Sequence, residues 1–389
     1  MCDLRVTLDL RKCVVPEFIF GLGARKLAGK YAKNLGARRV LVVTDSGVRE
    51  AGWLKDVITS LENSGLTYTI FEDVSPNPRD LQVKKGVEIY LQNRCDSIVC
   101  VGGGSPIDCA KGIGIVVANS GDILDYEGVD KIHSPLPPLV CIPTTAGSSA
   151  DVSQFAIIND TVRKVKIAII SKSIVPDVAL VDPEPTLSMD YNLTINTGLD
   201  ALTHAFEAYV SNANSTITDI YALEAIKLLH DGLPKVAKNL SDIEARGSVM
   251  MGSLLAGLAF SNASLGAVHA MAHSLGGWMD LPHGLCNAIL LDKVVEFNMP
   301  YARDKYKVIA QKFGIKNGAL NTQDCSKEFL ALLRDFKARL ELTQTLSQLG
   351  VEEKVIPHLS NMALKDACIV TNPKIPEQKE VEDIYAKAL

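Results

Sequence analysis

The 389-residue chain has no Cys-x-x-Cys pair, no excess of positive charge, and no apolar run near the roughly 18 residues that a membrane span requires. Each absence narrows the function. Without paired cysteines, a thiolate zinc site is not the reading to start from. A net charge of −5 argues against partners such as nucleic acid or an acidic membrane surface. The opening MCDLRVTLDLRKCVVPE carries scattered charges and no apolar signal-peptide core. The nine cysteines are odd in number, and Cys100 and Cys141 fall in apolar stretches, as expected of reduced, buried thiols in a cytoplasm. The chain shows no internal repeat and no low-complexity tract.

What remains is an ordinary globular composition, 47% hydrophobic and 22% charged, in a chain long enough for two domains. The first half alternates short β-rich runs with helical stretches. Arg39–Thr44, Thr67–Phe71, Ser97–Val101 and Pro138–Ile142 read as buried strands, which points to a parallel sheet covered on both faces. From about Leu193 the periodicity turns helical, in 195–210, 215–229, 243–260 and 328–340. The reading is an α/β domain over 1–190 and an all-α domain over 191–389, divided near the Pro-rich stretch Val181–Thr186. The region from Phe313 is generic helix.

Three glycines, Gly102, Gly103 and Gly104, follow the third strand and lead through Ser105 and Pro106 into a helix. Ser105 fits an N-cap and Pro106 a first turn. Such a turn lets backbone approach an anion, and the helix start offers free N–H groups. The same glycines would also serve a plain strand-to-helix turn, and the Gly-x-Gly-x-x-Gly fingerprint is absent. Asp45 ends an earlier strand, where a carboxylate binds a ribose 2′-hydroxyl and repels a 2′-phosphate; a turn or N-cap aspartate is the alternative. A second polar loop carries Thr144, Thr145, Ser148 and Ser149. Lys166 is either a ribose or phosphate contact or simply exposed.

Four residues carry the chemistry. Asp200 and His204 are four apart, on one face of a helix. His269 would add a ligand from a second helix. His283 lies fourteen residues on, between Pro282 and Gly284, where a helix breaks and the chain can return. One unbroken helix would hold His269 and His283 about 20 Å apart. One carboxylate and three imidazoles suit a divalent first-row metal such as iron or zinc.

These motifs together, GGGSPIDCAK, PTTAGSSADV, TGLDALTHAFE and GLAFSNASLGAVHAMAHSLGGWMDLPHG, resemble the iron-containing (group III) alcohol dehydrogenases over nearly the whole chain. The resemblance implies an N-terminal dinucleotide-binding α/β domain, a C-terminal helical metal-binding domain and an active-site cleft between them. It implies NAD rather than NADP, a divalent metal (Fe2+ before Zn2+), a small alcohol or aldehyde substrate, and a homodimer or higher homo-oligomer. Carried over residue by residue, it makes Asp200, His204, His269 and His283 metal ligands and Gly102 to Ser105 the pyrophosphate turn. Asp45, Asn77, Thr144, Thr145 and Lys166 become cofactor contacts. His273 sits beside the nicotinamide, as a proton relay or only an orienting group, and Phe260 and Cys368 line the substrate pocket. Asp190 and Tyr191 stand where many members carry proline, which puts that linker's geometry in question. His133, His230 and His358 read as surface or structural residues.

Two other readings compete. Dehydroquinate-synthase-like lyases and polyol-phosphate dehydrogenases also use NAD with a metal, but they need basic pockets. The stretch from Gly252 to Gly277 has no lysine or arginine, which favours a small, weakly charged substrate. A non-catalytic metal- and nucleotide-binding scaffold is the third reading.

Overall fold

The computed structural model describes residues 8–315 and 323–389. The chain divides into two compact units, Val14–Asp190 and Tyr191–Leu389, the latter joined, among the described residues, by 8–13. The first unit holds β1 (Glu17–Phe20), β2 (Arg39–Val43), β3 (Thr67–Phe71), β4 (Ser97–Gly102), β5 (Gly128–Val129), β6 (Leu139–Pro143), β7 (Phe155–Asp160), β8 (Val165–Ile170) and β9 (Val178–Val181). Its helices are α1 (Ala28–Asn34), α2 (Ser46–Glu50), α3 (Leu54–Asn63), α4 (Asp80–Gln92) and α5 (Gly104–Asn119).

Six strands form a parallel sheet in the order β1-β9-β6-β4-β2-β3. Alternation along β2 sends its apolar side chains to two separate cores. Leu41 and Val43 pack with Ile107 and Ile113 of α5, whereas Val40 and Val42 pack with Ala28 of α1 and Val57 and Leu61 of α3. Burial on both faces is why these strands read as continuous apolar runs. From β2 the chain steps outward to β3; from β4 it steps the other way, to β6 and β9. The direction reverses between β2 and β4, and the crevice at their C-terminal ends is where such sheets bind ligands.

The sequence reading names four of these strands and misses β1, β5, β7, β8 and β9. The hairpin of β7 and β8 lacks the usual turn residues at 161–164. Asp160 supplies the turn instead, its Oδ1 accepting from the N–H groups of Val162 (2.9 Å) and Arg163 (2.8 Å). With β5, these two strands make a separate three-stranded sheet.

The second unit is helical, with no strand among its described residues. Its helices are α6 (Tyr191–Val210), α7 (Thr216–Lys238), α8 (Ile243–Ala263), α9 (Ala267–Met279), α10 (His283–Asn298), α11 (Arg303–Lys312), α12 (Gln323–Arg339), α13 (Ile356–Ala363) and α14 (Gln378–Ala386). Asp280, in the left-handed region at φ 56°, and Pro282 separate α9 from α10. The start of α10 lies against α6 so closely that a Cβ on Gly284 would come within 2.6 Å of the Asn196 carbonyl oxygen. No single helix among the described residues is long and apolar enough to cross a membrane. The described cysteines are free thiols, buried except for Cys13.

Candidate active site

In the helical unit, three helices each contribute a pair of residues at i and i+4: Asp200 and His204 from α6, His269 and His273 from α9, His283 and Asn287 from α10. Asp200 Oδ1 faces three imidazole Nε2 atoms, those of His269 at 3.6 Å, His283 at 3.7 Å and His204 at 4.0 Å. The His204 ring stacks on His269 with centroids 4.5 Å apart and, on its other side, on Phe260 at 4.3 Å. Burial alone would raise the Asp200 carboxyl. The imidazoles of His204, His283 and His269 hold it far below the usual carboxylate range instead. A carboxylate ringed by converging ring nitrogens in a buried place is the donor set of a cation site.

Asn287, fully buried, places its Nδ2 2.6 Å from Asp200 Oδ1, 3.0 Å from His269 Nε2 and 3.1 Å from His283 Nε2. Its Oδ1 is buried with no hydrogen-bond partner. The Asn287 amide nitrogen thus meets the same carboxylate oxygen and two of the same ring nitrogens that would hold a cation, which places Asn287 against the ligand set.

In the α/β unit, the candidate cofactor residues sit after neighbouring parallel strands: Asp45 after β2, Asn77 after β3, the glycine turn after β4, Thr144 and Thr145 after β6. The last two loops touch. The Thr144 N–H donates to the Gly102 carbonyl at 3.0 Å. A Cβ on Gly104 would come within 2.8 Å of Ser148 Cβ, and one on Gly103 within 3.1 Å of Thr145, so neither position has room for a side chain without movement. Buried Lys111 fastens α5 to the chain beyond this loop, donating to the Ser153 (2.8 Å) and Phe155 (2.7 Å) carbonyls.

One local expectation changes, at Ser105. Helix α5 starts at Gly104 with Gly103 as its N-cap, so Ser105 lies in the first turn rather than capping it. The extended Gly103 backbone already starts the helix, with its carbonyl accepting from Ile107. Asp45 is itself an N-cap: its Oδ1 accepts from Val48 N–H at 2.9 Å, opening α2. Lys166 lies half-buried on β8, in the smaller sheet.

The family model described as "Fe-containing alcohol dehydrogenase family, C-terminal" matches residues 194–389, and that described as "Iron-containing alcohol dehydrogenase" matches residues 16–183. The chain belongs to the iron-containing alcohol dehydrogenase family. A 1,3-propanediol dehydrogenase of Citrobacter freundii is 40% identical over 371 residues, covering 95% of this chain and 96% of that protein. An NAD-dependent methanol dehydrogenase of Bacillus methanolicus is 37% identical over 376 residues, covering 97% and 99%. The crystal structure of a 1,3-propanediol oxidoreductase superposes with a TM-score of 0.95 at 38% identity, covering 98% of this chain and all of the other.

Three residues that the sequence reading does not name join the site of this iron-containing alcohol dehydrogenase. Besides Asn287, these are Glu207, at hydrogen-bond distance from His269, and Asp366, whose Oδ2 is 2.8 Å from His273 Nδ1. Burial would raise the Asp366 carboxyl, but the His273 ring and the Cys368 N–H hold it below its usual value. His273 stacks on His283 at 5.2 Å. Cys368, fully buried, has its thiol pushed well up by burial, so it is an inert wall rather than a nucleophile. His133 and His358 are exposed, and His230 packs against Phe313 and Phe336.

Proposed function

We propose that this protein catalyses the reversible oxidation of a small primary alcohol to its aldehyde with NAD, and that Asp200, His204, His269 and His283 hold the divalent metal the reaction needs. One observation carries the reading: three imidazole Nε2 atoms converge on one buried carboxylate oxygen at 3.6 to 4.0 Å. Ferrous iron fits the donor set and the family; zinc accepts the same donors. When bound, the metal supplies Lewis-acid polarisation of the substrate oxygen, and NAD supplies the hydride acceptor.

The chain's own residues do the rest. Gly102, Gly103, Gly104 and Ser105 open α5 toward the pyrophosphate, and Thr144 and Thr145 border the same turn. Asp45 faces the adenosine ribose, Asn77 stands at the next strand end, and Lys166 contributes positive charge. His273, its Nδ1 held by Asp366, keeps Nε2 to accept the proton released as alcohol becomes aldehyde. Phe260 and Cys368 present apolar surface to a short carbon chain. A homo-oligomeric assembly belongs to the same reading and rests on family membership.

The test is initial rates with short primary alcohols and diols, with NAD and NADP compared at equal concentration. Turnover of at least one alcohol, with NAD preferred, is expected; none, in metal-replete protein, would refute the reading. The preference itself gives a second expectation. Asp45→Ser keeps an N-cap oxygen for α2 and removes the charge. It should raise NADP use relative to NAD about tenfold, or roughly 1.4 kcal/mol of like-charge repulsion. An unchanged ratio of kcat/KM values would remove Asp45 from the adenosine site.

A further inference from the structure

We infer that Glu207 is a positioning residue for the metal, fixing the tautomer and the angle of His269; the inference rests on the metal reading above. Glu207 is seven residues after Asp200 and three after His204, so one face of α6 presents all three. It is 3% exposed, and a buried carboxylate needs partners for both oxygens. It has them. Oε2 lies 2.5 Å from His269 Nδ1, and Oε1 accepts from the Val268 N–H at 2.6 Å.

That N–H belongs to the first turn of α9, one of the donors a helix start leaves without an internal acceptor. The neighbouring Ala267 N–H is taken by Asn372 Oδ1 at 3.1 Å. The approach depends on Gly266, where a Cβ would come within 2.9 Å of Glu207 Oε1 and 2.7 Å of Asn372 Oδ1. One carboxylate thus anchors both the helix that carries His269 and the ring itself.

The chemical consequence follows from the two ring nitrogens. A carboxylate at Nδ1 requires the proton there, which leaves the Nε2 lone pair pointing toward Asp200 Oδ1. The same contact raises the ring's donor strength and sets its plane. A glutamine at 207 offers one accepting oxygen where the glutamate offers two. Either the Val268 N–H or the His269 Nδ1–H then loses its acceptor.

The experiment measures Zn2+ and Co2+ affinity of metal-stripped protein by chelator competition, with the Co2+ absorption spectrum as a second readout. Wild type, Glu207→Gln, Glu207→Asp and Asp366→Asn are compared. Glu207→Gln should bind each metal about 10- to 100-fold more weakly and alter the Co2+ spectrum. Glu207→Asp keeps the charge but shortens the reach, so it should also lose affinity; it carries the test if the glutamine variant does not fold. Asp366→Asn, which disturbs the corresponding contact of a histidine outside the ligand set, should keep wild-type affinity. Wild-type affinity and spectrum in the folded Glu207 variants would overturn the inference and leave the metal reading standing. A wild type that takes up neither metal would overturn both.

Discussion

Replacing His269 by alanine is expected to remove metal retention and turnover together while leaving the nucleotide unit folded. The substitution deletes one of three converging Nε2 donors and leaves Glu207 buried with the Val268 N–H alone. Loss of a Lewis acid costs several kcal/mol of transition-state stabilisation. At 1.36 kcal/mol per tenfold, that is a fall of about a thousandfold or more. The cores that hold the Val14–Asp190 unit contain no residue of α9, so NADH binding should persist. Metal content by elemental analysis, NADH binding by fluorescence and initial rates settle the matter together. Wild-type turnover without bound metal would refute the assignment.

The second large effect is on stability. Asp292, on α10 nine residues after His283, is 1% exposed and is surrounded by cations. It accepts from Lys337 on α12, from Lys293 at 2.7 Å and from Arg334 at 3.0 Å. Burial would raise its carboxyl, but Lys337 and then Lys293 hold it down at about 2. The folded value therefore lies below the unfolded one of about 3.9. Stability from this cluster is complete above about pH 4 and is lost as pH falls toward 2.

Asp292→Asn leaves the buried Lys337 ammonium without its carboxylate, a change that typically costs about 3 to 5 kcal/mol. A clearly lower thermal midpoint at neutral pH is expected, with the gap to wild type shrinking as the pH drops below 4. Adding Lys337→Met should recover part of the loss, because the unpaired charge is gone. An unchanged midpoint at neutral pH would show that α12 is held to α10 by its apolar contacts alone.

How far the sequence reveals such features depends on their range. Asp200 and His204 are legible because i and i+4 share a helix face. His283 is legible because Pro282 and Gly284 announce a break. The strands β2, β4 and β6 are legible as apolar runs, since neither face of the sheet meets water. By contrast, β9 is four residues long and β7 turns into β8 on an aspartate, so neither carries a strong local signal. Glu207 and Asn287 do have a local signature, at i+7 from Asp200 and i+4 from His283. Their partners, however, sit on other helices, and a helical glutamate or asparagine is ordinary without them. Asp366 is 93 residues from His273, a distance no periodicity bridges. The N-cap of α5 turns on the conformation of Gly103, which the row of three glycines leaves undecided.

Aldehyde reduction through a metal held by Asp200, His204, His269 and His283 is tested by the NADH-dependent reduction of short aldehydes with protein stripped of metal, then refilled anaerobically with Fe2+ or Zn2+. Stripping should abolish NADH oxidation, and one of the two ions should restore it. Stripped protein that still reduces aldehydes at the untreated rate, with no metal detectable, would contradict the claim.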